Sequence, residues 1–448
     1  MKNKRTALLL LCLTLCLFPL LSHALPLQEC HKVALTYTDI TQDNGSVVRH
    51  WRADTVLDSV DEELSSLTQA YVDEIAPTLE KPKNKTSLNS RLDMEIRYSR
   101  TGLTWMSFLL QARTSFHRAL IGQEFTTRTY DMETGERIYL TDLFDTDSVA
   151  WDTLAAEVRN QLTAYFPDET PDPALLSSLC ARENLETAEF TLHGFSLVLH
   201  YPASALYPSH HTLMEVTVMY SALYADMLPE AKKQTDNLSY YKTCALTFDD
   251  GPSRTNTTLV LKNLMITGCR ATFFVIGNRI EEYVDQVQRE HDLGHAIGNH
   301  NWHHGNVTKS SASALRGMVA KCDEQMIKAI GKAAAYDRVP YGLYPQMIKA
   351  KVGWPYIQWS LDTYDWRGRS TSTVLSSVKK QISDGDIILC HDIKDNTPES
   401  AKRICEYLQE EGYLLLTIDE LFAKDGVVLQ PDTVYYRCVD GDTSIKKK

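Results

Sequence analysis

From residue 243 onward, short apolar runs alternate with longer stretches in which apolar side chains recur every three or four positions. The short runs, at 244–248, 271–276, 296–299, 336–339, 356–361, 386–390 and 414–418, predict strands. The longer stretches, at 257–266, 279–293, 311–330, 373–382 and 398–412, predict helices. Strands separated by helices of this length imply parallel βαβ units, an α/β architecture. Residues 31–230 have a different rhythm. Strands are expected there at 32–41, 92–98, 103–114, 124–132, 190–200 and 213–220, with a turn at 131–136 leading into 137–140. Helices are expected at 53–79 and 148–166, the second because Val149, Leu154, Val158, Leu162 and Phe166 recur at about helical spacing. This half reads as α+β, and the polar, unpatterned stretch 232–239 reads as a linker.

The first residues carry an address. Lys2, Lys4 and Arg5 precede an uncharged run from 7 to 21, and Ser22-His23-Ala24 resembles a small-residue cleavage site. That is a secretory signal peptide pattern, and 15 residues fall short of the roughly 20 that a spanning helix needs. An uncleaved anchor is the alternative, and membrane contact is expected only through it. The expected organisation is 1–24 signal peptide, 30–231 α+β, 232–242 linker, 243–425 α/β and 426–448 tail. The formal net charge of −12 becomes −15 without the three basic residues of the leader. Such a balance speaks against nucleic acid as a partner, because phosphate binding needs clustered Lys and Arg. Cysteines 30, 180, 244, 269, 322, 390, 405 and 438 remain after the leader, an even number that permits disulfides in an exported chain but fixes no pairing. Buried thiols are the alternative, and the absence of any CxxC pair leaves no structural zinc knuckle.

In parallel α/β folds, active sites gather at the C-terminal ends of strands, and polar outliers sit there in this chain. The first strand ends in Thr247-Phe248-Asp249-Asp250-Gly251-Pro252. Adjacent carboxylates can share a pocket only where the strand has ended, as Gly251 and Pro252 encourage; a solvated acidic turn is the alternative. The third strand runs into Gly298-Asn299-His300-Asn301-Trp302-His303-His304. His300 and His304, four apart, can meet one metal in a single helical turn, or be ordinary core or surface residues. With Asp250 they supply three N/O ligands, the number a catalytic zinc site uses. Two carboxylates at one site suggest divided labour, one binding metal and the other taking a proton from water. Later strand ends add Arg338, the run Asp362-Thr363-Tyr364-Asp365-Trp366, and His391 beside a carboxylate that would favour its proton-donating form. Singly, Arg338 could be a surface ion pair, Trp366 a core aromatic and His391 a buried histidine; five polar clusters at successive strand ends argue for a site.

Residues 243–420, about 40% of the chain, resemble the polysaccharide deacetylases, the NodB-homology domain of carbohydrate esterase family 4. The motif regions stand in order as TFDDGP at 247–252, GNHNWHH at 298–304, RVPYG at 338–342, DTYDW at 362–366 and IILCH at 387–391, with ATFFVIG at 271–277 between them. The resemblance implies a distorted, incomplete (β/α) barrel that removes acetyl groups from N-acetylated glycans with one divalent metal, usually Zn2+, with Co2+, Ni2+ or Mn2+ as alternatives. Carried over, Asp250, His300 and His304 would bind the metal, Asp249 would be the base that activates water, and Arg338 would keep Asp249 ionised. A backbone N–H near Tyr341 would help hold the oxyanion, His391 tuned by Asp365 would protonate the leaving amine, and Trp366 with Leu389 would wall the acetyl methyl. Asn301, His303, Gly305 and Val339 depart from the family's usual residues without removing a ligand, base or acid.

The stretch 122–144, with TYDMETGERIYLTDLF, resembles extracellular domains shared by peptidoglycan deacetylases and lysozyme-sensing anti-sigma factors, which implies a wall-facing accessory module. The expected function is an exported peptidoglycan deacetylase, secreted or associated with the cell surface, acting on N-acetylglucosamine or N-acetylmuramic acid residues. Chitin-like oligomers or another acetylated glycan are the alternative substrates, and a non-catalytic wall-binding or lysozyme-sensing protein is the alternative class.

Overall fold

The computed structural model describes residues 27–79, 90–116, 119–235 and 241–444. The expected leader at 1–24, residues 236–240 of the expected linker and the last four residues lie outside them. The N-terminal region builds a six-stranded sheet in chain order from β1 (Ala34–Thr41), β2 (Val47–Asp54), β3 (Arg91–Thr101), β4 (Trp105–Phe116), β5 (Ala119–Asp131) and β6 (Arg137–Ile138). All its pairs are antiparallel except β2 with β3, which the helix Asp58–Ile75 connects. Val60, Leu64, Val72 and Ile75 of that helix are buried on one face, which covers the sheet. A second apolar cluster joins the helix Ala150–Thr163 to a three-stranded sheet of β7 (Phe190–Leu192), β8 (Ser196–Pro202) and β9 (Leu213–Met219). The apolar stretch 190–200 is thus a hairpin rather than one strand. Its turn closes where His193 N–H donates to Ser196 O at 2.8 Å, and a Cβ at Gly194 would strike Leu414.

The C-terminal region is a curled parallel sheet ordered β14 (Leu361–Asp362), β15 (Asp386–His391), β10 (Lys242–Asp249), β11 (Thr272–Val275) and β12 (Ala296–Asn299). β16 (Tyr413–Leu415) pairs with the start of β10. Past β12 the sheet continues only through single bridges from Asn299 to Asp337 and from Asp337 to Tyr356 of β13 (Tyr356–Ile357), where a full strand at 336–339 was expected. β17 (Val434–Tyr435) pairs with β13, and a bridge from Arg437 reaches Asp386. The segment expected as a tail therefore fills the gap in the sheet, with Tyr435 and Cys438 buried. The expected helix at 279–293 is two pieces, Gly277–Ile280 and Val284–Asp292, and the stretch leading into the expected linker is helical from Pro229 to Thr235. The protein is an α/β distorted, incomplete barrel preceded by an α+β region.

The two regions share a core and a set of buried polar joints. Tyr98 Oη donates to Ile266 O at 2.9 Å, Arg100 to Tyr413 O at 3.1 Å, and Arg113 pairs with Asp292 at 2.6 Å. These contacts fall at the N-terminal ends of the barrel strands, leaving the C-terminal ends open. Among the described residues all eight cysteines are free thiols, six of them buried, and no helix is long and apolar enough to cross a membrane.

Candidate active site

β10 is buried along nearly its whole length, and its side chains alternate between the two faces of the sheet. Thr247 and Asp249 therefore share the inner face, where both meet Arg338. The strand ends at Asp249, and Asp250 takes a left-handed conformation (φ 76°) that swings its carboxylate round beside that of Asp249. Gly251 follows because any Cβ there would run into the Asp392 carboxylate. Arg279 Nη1 donates to Asp250 O at 2.9 Å and holds the turn.

His300 leaves the end of β12 with its Nδ1 at 2.6 Å from Arg338 O. A carbonyl only accepts, so the proton sits on Nδ1 and the Nε2 lone pair faces the pocket. The residues after it form a bend, not the helical turn that the spacing suggested: Asn301 is left-handed (φ 66°) and its Oδ1 accepts from Trp302 N–H at 2.7 Å. That bend brings His304 back over the site while His303 points into solvent. Asp250 Oδ1 lies 3.5 Å from His300 Nε2 and 3.2 Å from His304 Nε2, and one donor atom from each of the three residues falls within 4.8 Å of the others. Asp250 Oδ1 is buried without a hydrogen-bond partner. A cluster of two imidazole nitrogens and an orphaned carboxylate oxygen fits a divalent cation of the N/O-preferring kind. Burial pushes the Asp250 carboxyl up, but the His300 imidazole, with His391 and His304, outweighs it and holds the group well below the usual carboxylate range. Burial pushes both imidazoles down; for His300 the carboxylates of Asp249 and Asp250 reverse the shift, whereas His304 stays lowered.

Asp249 is 3% exposed and its Oδ2 lies 3.9 Å from His300 Nε2. Its Oδ1 accepts from Arg338 Nη1 at 2.8 Å. Arg338 is fully buried rather than a surface ion pair. It donates further to Thr247 Oγ1 at 2.7 Å, Ile357 O at 3.1 Å and Gln358 O at 3.2 Å, and stacks 4.0 Å over the Phe274 ring. Saturating the guanidinium in this way is what makes a buried ion pair tolerable. On the opposite wall, β15 delivers His391, whose Nδ1 lies 2.8 Å from Asp365 Oδ1. Asp365 Oδ2 accepts from His391 N–H at 2.7 Å and from Thr397 Oγ1 at 2.8 Å. Leu389, two residues earlier, shares the face of His391 and is buried, while Trp366 follows Asp365 and is 45% exposed at the rim. Tyr341 is left-handed (φ 60°) and 65% exposed, its ring edge-on to His304 with centroids 4.6 Å apart.

The ten residues singled out in the sequence thus collect at the C-terminal ends of β10, β12, β14 and β15 and in the turn after Asp337. Four neighbouring residues carry no role in the sequence reading. Thr247 stands two before Asp249, a spacing that places it on the same face. Thr397 and Asn396 hold Asp365 from 32 and 31 positions away, and no local pattern marks them. Asp392, beside His391, is fully buried and pushed up to about 7 by burial, against the hydrogen bond it accepts from Thr257.

The polysaccharide deacetylase family model matches residues 239–353. The chain is 36% identical over 197 residues to the peptidoglycan-N-acetylglucosamine deacetylase PgdA of Listeria monocytogenes, covering 44% of this chain and 41% of that protein. It is 32% identical over 180 residues to the peptidoglycan-N-acetylmuramic acid deacetylase PdaC of Bacillus subtilis, covering 40% and 38%. It is 31% identical over 188 residues to a peptidoglycan-N-acetylglucosamine deacetylase of Bacillus cereus, covering 40% of this chain and 67% of that protein. The chain belongs to the polysaccharide deacetylase family. It spans less than half the length of the first two of these relatives.

Proposed function

We propose that the protein is an exported, metal-dependent N-deacetylase of peptidoglycan, hydrolysing the acetamide of N-acetylglucosamine or N-acetylmuramic acid residues to acetate and a free amine. The observation that carries this reading is the buried, partnerless Asp250 Oδ1 facing His300 Nε2 and His304 Nε2, with Asp249 alongside. Asp250, His300 and His304 would hold a divalent ion, most readily Zn2+. When bound, that ion supplies Lewis-acid polarisation and lowers the pKa of water. Asp249, kept in place by Arg338, takes the proton from the attacking water. As the C–N bond breaks, His391 gives its proton to the leaving nitrogen, with Asp365 fixing the imidazole's orientation. The N–H at Tyr341 steadies the developing oxyanion, and Trp366 with Leu389 encloses the methyl. Residues 243–425, completed by the strand Val434–Tyr435 and the bridge from Arg437, form the catalytic unit in this reading. Residues 30–231 act as an accessory module facing the wall, joined through 232–242, with 1–24 as the export signal.

The test is mass spectrometry of acetyl loss from peptidoglycan fragments and chitin oligomers, with and without a chelator. Chelator-sensitive loss from peptidoglycan is expected. Loss from chitin alone would move the substrate to another glycan. No loss, together with no bound metal, would leave a wall-binding protein.

A further inference from the structure

The rim of the site carries two arginines that no acidic side chain neutralises. Arg367 and Arg369 stand between β14 and the helix Thr371–Gln381, and among the described residues neither forms an ion pair. Aromatic rings hold them instead. The Arg367 guanidinium lies 4.8 Å from the centroid of Tyr364 and 4.6 Å from that of Trp366, and Arg369 lies 4.9 Å from that of Tyr364. A guanidinium stacked on a ring keeps its in-plane N–H edge free for another partner.

The backbone beneath them is fixed. Tyr364 and Gly368 are left-handed (φ 56° and 65°), Arg367 N–H donates to Tyr364 O at 3.2 Å, and Gly368 N–H donates to Asp365 O at 3.2 Å. Asn396 Nδ2 bridges Asp365 O at 3.3 Å and Arg369 O at 2.8 Å, tying the arginine segment to the residue that orients His391. In a chain of net charge −12, these two arginines are cations without an ion-pair partner among the described residues. A guanidinium is also the side chain that takes a carboxylate through paired N–H donors.

We infer that Arg367 and Arg369 form a subsite for a carboxylate carried by the glycan beside the acetamide that is cut, so that the protein selects anionic N-acetylated glycans over neutral ones. The inference rests on the deacetylase reading above and deepens it. Two sources present this chemistry: the lactyl or stem-peptide carboxylate of peptidoglycan, and a uronic acid in another acetylated polysaccharide.

The test compares kcat/KM of the full chain on a peptide-free peptidoglycan tetrasaccharide, on its carboxyl methyl ester, and on an oligosaccharide alternating N-acetylglucosamine with glucuronic acid. The acid is expected to exceed its ester by about tenfold, with the ratio shrinking as salt screens the pair. In the R367Q/R369Q variant the ratio should fall toward one, and in R367K/R369K, which keeps the charge but not the paired donors, only the salt-sensitive part should survive, with circular dichroism of both variants showing that the segment still folds. A larger preference for the tetrasaccharide acid identifies the lactyl group, and a larger rate on the uronic oligosaccharide identifies that sugar. A wild-type ratio of one, or a ratio unchanged in the glutamine variant, overturns the subsite while leaving the deacetylase intact. No acetate from any substrate overturns the deacetylase reading and the subsite together.

Discussion

Replacing Asp365 by Asn probes the proton-donating end of the site. The carboxylate is buried, with Oδ1 2.8 Å from His391 Nδ1 and Oδ2 accepting from His391 N–H and Thr397 Oγ1. Burial pushes the imidazole's pKa down, but the hydrogen bond and charge of Asp365, joined by Asp249 and Asp250, turn the net shift upward. A group with a raised pKa keeps its proton to higher pH, and an acid catalyst fails once that proton is lost. In the proposed mechanism His391 therefore sets the basic limb of the kcat/KM profile. Removing an opposite charge at this distance lowers a pKa by about 1–3 units, each worth about 1.4 kcal/mol. The basic limb of Asp365→Asn should move to lower pH by roughly one to two units. Turnover on the alkaline side should then fall about 10- to 100-fold. The amide also turns a donor toward a donor, since its NH2 must face either His391 N–H or Nδ1–H, and one buried donor left unmatched costs about 1–3 kcal/mol of stability. Thr397→Val removes a hydrogen bond from the same carboxylate without removing charge, so it should cost about 1 kcal/mol and leave the limb in place. Acetate release measured against pH, with circular dichroism and metal content recorded for each variant, reads both effects. A folded, metal-loaded Asp365→Asn whose basic limb has not moved would refute the assignment of that limb to His391.

Asp249→Asn should retain its metal and lose at least about 10³-fold in turnover, whereas His300→Ala should lose both; equal metal loss in the two, by elemental analysis, would sink the division between base and ligand. Arg338→Met leaves Asp249 buried without its cation and should lower the urea-unfolding free energy by about 3–5 kcal/mol. Asp292→Ala strips Arg113 of its partner across the junction and should destabilise by a similar amount, about 3–5 kcal/mol by calorimetry. Burial raises the Asp292 carboxyl, but Arg113 and His291 bring it down to about 2 from 3.8. The stability this carboxyl adds is therefore present above pH 3.8 and lost as pH falls toward 2.

The site was legible because its chemistry sits where apolar runs stop. Asp249, His300 and His391 each end a run whose burial the pattern shows, so polarity at those positions stands out. The i, i+4 spacing of His300 and His304 points to two residues that do come together, but the bend at Asn301, not a helix, closes the distance. Features set by tertiary context were hidden. The strand Val47–Asp54 is hidden in the sequence because Arg49, His50 and Arg52 interrupt its apolar side chains. Phe190–Leu192 and Ser196–Pro202 read as one strand because both faces are buried and only Gly194 marks the turn. The polar composition after residue 425 suggested a tail, yet Tyr435 and Cys438 are core residues supplied to a sheet that began almost two hundred positions earlier.

That last pairing has a kinetic side. β3, β4 and β5 are successive hairpins, so the N-terminal sheet grows by short loop closures as its chain emerges. β10 must wait for β15, some 141 residues downstream, and the gap beside β13 closes only when residues 434–437 arrive. For a chain that appears N-terminus first, the already folded sheet offers β3 and β4 as a surface on which the barrel helices assemble, and the loops bearing Asp250 and His304 become rigid late. A nascent chain halted before residue 434 would hold a finished N-terminal region and a barrel still open along one edge.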